Sequence, residues 1–275
     1  MLRKILLVAR VLILCIILCF FVLLIISVNQ AKNIVRYIDE QKYDDLEDAC
    51  KSAIFIDKIP KYSLVFNAIG EVSVWTPLQE ACISNDAKAV TILLENGADP
   101  DKTPPFQLPW FAPIQIAASN GNVDVLNVLI QHGADVKLYG HNALVKLTKS
   151  ARYGEDQISL ESYKNCYTLL EKHGMDASHP SFEKRSLLCE AALLSDIEVT
   201  KYLVSEKGIS ATVCDSDGRT LLHHACLSGF ATPNAEYIRY LLDCGVDPKI
   251  KDSKGKTAYD YAVEAECLEI ANMLS

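Results

Sequence analysis

The sequence lacks most of the short patterns on which chemistry is built. It has no Cys-x-x-Cys pair and no His-Glu-x-x-His, and no two of its six histidines stand four residues apart. Zinc sites use such spacings because several ligands must reach one ion from one turn or one helix face. Gly-x-Ser-x-Gly, the Walker loop and Gly-x-Gly-x-x-Gly are missing too, so neither a nucleophile elbow nor a backbone phosphate cradle is encoded. No metal, cofactor or enzymatic activity is therefore expected. Without an Asn-x-Ser/Thr triplet, N-glycosylation is not expected either. Cations are in deficit, with 27 Lys and Arg against 35 Asp and Glu. Arg3, Lys4 and Arg10 lie in residues 1–28, which hold no acid. Setting these three aside leaves 24 cations against 35 anions, a net of −11 on the rest. Such a body repels phosphate and excludes nucleic acid as the main partner. Half the residues are hydrophobic, which excludes wholesale disorder.

The apolar content is concentrated at the start. Val11–Ile26 is an unbroken apolar run, and Arg10 is the sole charge in Ile5–Val28. Those 24 residues as a helix reach about 36 Å, more than a bilayer core of about 30 Å. The expectation is an uncleaved transmembrane anchor within residues 1–30, crossing at 5–28. A cleaved signal peptide is the rival, but its apolar core is shorter and ends at a small-x-small site. Ile26-Ser27-Val28-Asn29-Gln30 supplies no such site. A buried core helix is the third reading. Arg3, Lys4 and Arg10 precede the run, and Lys32 and Arg36 follow it. The positive-inside rule then puts the N-terminus in the cytoplasm and the body outside it. The short N-terminal flank suits a bacterial inner membrane, with the body facing the periplasm. Cys15 and Cys19 fall inside the run. The other eight cysteines are spread singly, mostly where the pattern reads as helix interior. They are expected as buried free thiols acting as small hydrophobes, with one disulfide left open if the body is extracytoplasmic.

Six segments then align: Thr76-Pro-Leu-Gln-Glu-Ala, Ala112-Pro-Ile-Gln-Ile-Ala, Asn142-Ala-Leu-Val-Lys-Leu, Ser186-Leu-Leu-Cys-Glu-Ala, Thr220-Leu-Leu-His-His-Ala and Thr257-Ala-Tyr-Asp-Tyr-Ala. They stand 36, 30, 44, 34 and 37 residues apart. A second marker follows each of the first five, starting at Gly97, Gly133, Gly174, Gly208 and Gly245 and reading Gly-Ala-Asp in the two cleanest cases. Two markers in fixed order at a period near 33 are a repeat signature. The segment 76–275 resembles the ankyrin repeat family, whose unit reads T-P-L-H-x-A, a second helix and a G-A-D turn. The unit at 142–178 is degenerate, and residues 149–160 lengthen it. The resemblance implies a mainly α solenoid of helix–turn–helix units joined by hairpin loops, preceded here by the anchor.

The residues support the unit independently. Leu78, Ala81 and Cys82 make one helical stripe. Thr76 can cap that helix and Pro77 suits its first turn. Val90, Leu93 and Leu94 stripe the second helix, which Gly97 stops. No unit can bury its apolar face alone, but stacked units can. Residues 31–75 read as a divergent N-terminal repeat or cap. Within them 31–53 is helical, and 54–75 is an extended hairpin or long loop. Glu264, Glu266 and Glu269 read as the solvated decoration of a terminal cap.

The resemblance also implies where a partner binds, on the hairpin tips and the exposed side of each first helix. The residues before the unit starts are Trp75, Phe111, Arg185, Arg219 and Lys256. Trp75, Phe106, Trp110 and Phe111 form either an aromatic ridge for a partner or rings packed between adjacent hairpins, since such rings serve both ends well. Ile83, Leu193 and Leu227 are apolar at the exposed first-helix positions, and read either as a contact stripe or as packing against the hairpins. His223, His224 and Cys226 resemble a triad fragment, yet His223 fills the T-P-L-H histidine position, where the family uses it to bond the neighbouring hairpin. A hidden catalytic site would require His224 or Cys226 to be exposed and reactive. The expected function is a membrane-tethered module that binds a protein, of basic character because the body is acidic, as an inhibitor or regulator. The alternative is a scaffold or assembly subunit of a membrane complex.

Overall fold

The computed structural model describes residues 18, 22, 26, 29–30, 32–53, 75–103, 111–153, 158–177, 186–227 and 234–275. Among these, the backbone is helical wherever it is regular, and one isolated antiparallel bridge joins Cys214 to Thr220. No described helix is long and apolar enough to cross a membrane. The expected anchor at 5–28 lies outside the described residues except for Leu18, Val22 and Ile26, which are helical and exposed. The hairpin expected at 54–75 lies outside them as well, apart from Trp75. The chain divides into two compact units, residues 1–113 with 131–134, and residues 114–130 with 135–275.

In the first unit a helical stretch at 32–39 precedes α1 (Tyr43–Ser52). Ile34, Ile38, Leu46 and Cys50 are buried, while Val35 and Ala53 are half-buried. α1 packs on α3 (Ala87–Glu95), which pairs with α2 (Pro77–Ile83). The Tyr43 hydroxyl donates to Asp86 Oδ2 at 3.1 Å, and the Lys88 ammonium sits 4.0 Å from the Tyr43 ring centre.

α2 starts as the sequence requires. Thr76 is its N-cap, Pro77 occupies the first turn, and Thr76 Oγ1 accepts from the Gln79 amide at 3.0 Å. These helices have seven to nine residues, too few to persist alone in water, so burial must hold them. Asp86 caps α3 by accepting from the Ala89 amide at 3.0 Å. The residue before that cap is forced to positive φ by the tight turn between the helices. Asn85 takes it at 54°.

The second unit repeats the design. Its helices are α4 (Pro113–Ser119), α5 (Val123–Gln131), α6 (Val136–Tyr153), α7 (Leu160–Lys172), α8 (Leu187–Leu193), α9 (Ile197–Lys201), α10 (Leu221–Cys226), α11 (Ala235–Asp243), α12 (Ala258–Glu264) and α13 (Leu268–Leu274). A turn of π-helix, Tyr202–Glu206, continues α9. First helices α6, α8, α10 and α12 pack successively, with second helices alongside. Tyrosines seam the second-helix row. The Tyr202 ring stands edge-on to Tyr163 and Tyr167 at 6.1 and 5.5 Å, and the Thr200 and Tyr237 hydroxyls meet at 2.9 Å. Cys166, Cys189 and Cys226 are buried free thiols in this stack.

Two details depart from the simple repeat. α6 begins at Val136 and runs through Asn142, so the unit boundary expected at Asn142 falls inside a helix. The cause is local. Asp135 Oδ1 accepts from the Leu138 amide at 3.0 Å, which caps a helix straight from the Gly133 turn. The second detail is Gly121, at φ +65°, where a Cβ would stand 2.9 Å from Ile158 Cγ2. Ser195 and Glu266 carry side chains at φ 52° and 57° after α8 and α12, so positive φ alone does not demand glycine there. The approach of Ile158 does.

Two hairpins show how the turns are fixed. Asp215 and Asp252 each accept from two backbone amides, those of Asp217 and Arg219 and those of Lys254 and Lys256, at 2.8–3.0 Å. The Ser253 amide donates to the Asp217 carbonyl at 2.8 Å, joining the tips. Burial alone would push the Asp252 carboxyl up. The Tyr261 hydroxyl, 2.6 Å away, and the amides of Lys256 and Lys254 outweigh it and hold the group at about 2.

Two outcomes follow. Gly121→Ala should lose roughly 1–3 kcal/mol in denaturant melts, from left-handed strain plus overpacking, whereas Asn85→Gly should change stability by less than about 1 kcal/mol. Because the folded Asp252 is depressed below its ordinary value, its contribution is complete above about pH 4 and is lost as pH falls toward 2. Thermal melts of Asp252→Asn should therefore be shallower in pH than the parent between 4 and 2, and less stable at pH 7.

Candidate protein-interaction surface

The first helices α2 and α10 share a geometry: a capping residue, a residue that reaches the next hairpin, and an apolar residue at the helix end. In the first unit the reaching residue is Gln79. Its Oε1 accepts from the Thr76 amide at 2.8 Å, and its Nε2 donates to the Phe111 carbonyl at 2.6 Å. The side chain thereby closes its own helix start and fixes the chain immediately before the next one. Gln79 is fully buried.

That bond brings Trp75 and Phe111 together. Their rings are 5.1 Å apart and inclined by 63°, an edge-to-face pair, and both side chains are half-buried. Each ring therefore packs on the other. Ile83, at the end of α2, is 41% exposed. Phe106 and Trp110, expected to complete the ridge, lie outside the described residues.

In the second unit the same position is held by His223. The Thr220 amide donates to Nδ1 at 3.1 Å. That leaves the proton on Nε2, which donates to the Lys256 carbonyl at 3.1 Å. The histidine thus does with an imidazole what Gln79 does with an amide. Leu193 and Leu227, at the ends of α8 and α10, are half-buried. Arg185 lies outside the described residues.

The expected cations are engaged within the fold. Arg219 Nη1 is 3.1 Å from Asp217, and its Nε is 3.7 Å from the buried Asp252. Lys256 pairs with Glu264. These hairpin charges orient one another.

The buried ionisable groups line the first-helix row. His224 Nε2 is 3.0 Å from Asp215 Oδ2, and both side chains are almost inaccessible. Glu190, fully buried on α8, faces Lys149 on α6 at 3.5 Å. Burial, and then the charge of Lys149, lower Lys146 to about 8. Burial pushes the Cys226 thiol up to about 12, so neither His224 nor Cys226 meets the requirement of a reactive, exposed group. Among the described residues no three His, Cys, Asp or Glu side chains are grouped to hold a metal.

The sequence reading named His223 as a bonding residue and missed Gln79, which occupies the equivalent place three residues after the helix start. Alignment of the six unit starts carries that signal, since Gln, Gln and His stand there in the first, second and fifth. The Lys149–Glu190 and Tyr261–Asp252 pairs left no such trace, because each joins positions whose distance depends on how successive units stack.

Comparison with known proteins agrees with this geometry. The family model for ankyrin repeats in three copies matches residues 157–252 and 188–275, and that for ankyrin repeats in many copies matches 78–130. The Caenorhabditis elegans ankyrin repeat and KH domain-containing protein mask-1 is 26% identical over 223 residues, covering 72% of this chain. The chain spans 8% of that relative's length. The crystal structure of the human ASB11 ankyrin repeat domain superposes with a TM-score of 0.63 at 19% identity, covering 88% of this chain and 97% of that one. A chain from the Bdellovibrio bacteriovorus structure of a predatory endopeptidase in complex with an immunity protein gives 0.54 at 22% identity, covering 74% and 98%. Two sequence markers, the capped helix pairs they produce, the bonds of Gln79 and His223 to the next hairpin and these matches coincide: the chain belongs to the ankyrin repeat family.

Proposed function

We propose that this chain is a membrane-tethered protein-binding module that inhibits or regulates its partner. Ankyrin repeats generally mediate protein–protein interaction. The finer reading rests on one observation. Ile83 stays exposed at the end of α2, the helix whose start Gln79 ties to the chain at the half-buried Trp75–Phe111 pair. An exposed apolar side chain held on a rigid frame binds with little ordering cost. In the second unit Leu193 and Leu227 occupy the equivalent helix-end positions. The partner then meets first-helix ends and hairpins, with Arg219 and Lys256, each paired with a carboxylate, at the hairpin edge. The net −11 of the body steers a basic partner toward it.

The tether reading rests on the 24-residue stretch Ile5–Val28. Leu18, Val22 and Ile26, four apart, are helical and exposed. They form an apolar row that water does not favour and lipid does. Anchoring raises the effective concentration of the module toward partners at the same membrane. We place the repeats on the periplasmic side of a bacterial inner membrane. An immunity protein bound to an endopeptidase occurs among the fold's neighbours, and inhibition of an envelope enzyme is the role that suits a tethered, stoichiometric binder.

The test has two arms in the native cells. Alkaline phosphatase fused after Ser275 should be active, and a cytoplasm-dependent fluorescent reporter at the same point should be dark. The reverse would overturn the orientation. A photo-crosslinking residue at position 83 should yield one dominant protein adduct that is absent when the probe stands at the exposed Glu198. Ile83→Arg should remove the partner with an unchanged melting temperature. An adduct at both positions, or retention of the partner by Ile83→Arg, would overturn the assignment of this face.

A further inference from the structure

The hairpins at 209–220 and 246–257 are built by the same bonds. Asp215 and Asp252 each accept from the amides two and four residues further on. Ser210 and Asp247 each accept from the amide two residues further on, at 3.2 and 2.8 Å. The two segments therefore align without a gap at a spacing of 37 residues, and their exposed positions can be compared one by one. Thr212, Cys214 and Asp217 in the first stand where Lys249, Lys251 and Lys254 stand in the second, and all six are exposed. The turn needs none of the three lysines, since Thr, Cys and Asp serve it equally at the same places. None of the three ammonium groups forms an ion pair among the described residues, whereas Lys256 is held by Glu264. The neighbouring acids are engaged. Asp252 is buried against the Tyr261 hydroxyl, Asp260 caps α12 through Thr257, and Asp217 pairs with Arg219.

We propose that Lys249, Lys251 and Lys254 form a recognition site for carboxylates, and that its occupant is an extended acidic segment of the protein partner. The proposal rests on the reading that a protein meets the hairpins, but not on Ile83. The frame is fixed beforehand. Asp247 and Asp252 hold the amides of Lys249 and Lys254, and the Ser253 amide is bonded to the Asp217 carbonyl of the preceding hairpin. Only side chains are left to order on binding. Three cations face one exposed carboxylate, that of Asp247, so a short stretch of two or three acids fits. A nucleic acid or an anionic membrane does not, because each spreads negative charge over an area that the −11 body repels. A partner of net basic character is compatible with the site. Its overall charge acts at long range, and the acidic segment decides which hairpin it meets, since the preceding hairpin has no lysine at these places.

The test uses the full chain in nanodiscs of zwitterionic lipid, with a photo-crosslinking residue at the exposed Ser253 or, as reference, at Glu198 of α9. The probe is a labelled synthetic peptide of alternating Glu and Ser, and the comparison peptides carry Gln or Lys in place of every Glu. At about 50 mM salt the Glu peptide should form an adduct at 253 and not at 198, at least about fivefold above either comparison peptide, since three exposed pairs are each weak. At about 0.5 M salt the excess should vanish. Lys249→Thr, Lys251→Ser and Lys254→Asp together give this hairpin the charge of the preceding one, and should remove the adduct at unchanged melting temperature. If the triple variant lowers the melting temperature, Lys249→Gln with Lys251→Gln serves, and should cut the adduct at least about threefold. Equal adducts with the Gln peptide, no adduct at 253, or an adduct that survives these substitutions would overturn the proposal. So would a lipid adduct at 253 in phosphatidylglycerol nanodiscs that the same substitutions remove, which would give the patch to a membrane surface. The readout needs no contact at Ile83, so failure of this site and failure of that face are told apart.

Discussion

In two of the repeats one side chain, three residues after the helix cap, ties its unit to the hairpin that follows. Gln79 in the first unit and His223 in the second both accept from the backbone amide at their own helix start and donate to the carbonyl just before the next first helix. Helices of six to nine residues have almost no stability of their own. They exist because leucines, isoleucines and small residues such as Ala81, Ala192 and Ala225 are buried between neighbours. Apolar burial is non-directional, however, and does not set register. The bridging side chain does, because both of its bonds are satisfied only when the next hairpin arrives at one height. Trp75 meets Phe111 and Arg219 meets Asp252 as consequences of that spacing.

Much of this was legible in the residues. The Thr76 cap, Pro77 in the first turn and the Gly97 stop act at short range, where sequence spacing equals spatial spacing. What stayed hidden depends on stacking. Asn142 looked like a helix start because its segment aligns with the others, yet Asp135 starts the helix earlier and no local rule says which cap wins. Ile158 beneath Gly121 lies 37 residues away in sequence. Glu264, Glu266 and Glu269 read as a solvated cap and are exposed. Tyr259 and Val263, which look like ordinary core in a single repeat, are exposed as well.

Charge acts at two scales. The net −11 beyond the first 28 residues is a long-range property, felt by a partner before contact and weakened by salt. At short range several cations are consumed by the fold. Arg219, Lys256 and Lys149 each face a carboxylate, and the buried pairs fix geometry more than they add stability. Exposed apolar groups such as Ile83 are left for the contact that we propose, with affinity from burial and orientation from charge.

Hydrogen exchange on His223→Ala in the full chain tests the central claim most directly. The account predicts that amides of residues 246–275 lose protection at least about tenfold, roughly 1–3 kcal/mol for a buried bridging bond, while residues 160–203 keep theirs. Equal loss throughout the second unit, or unchanged protection at 246–275, would contradict it. Either result would show that register is set by apolar packing and that the bridging side chain merely follows.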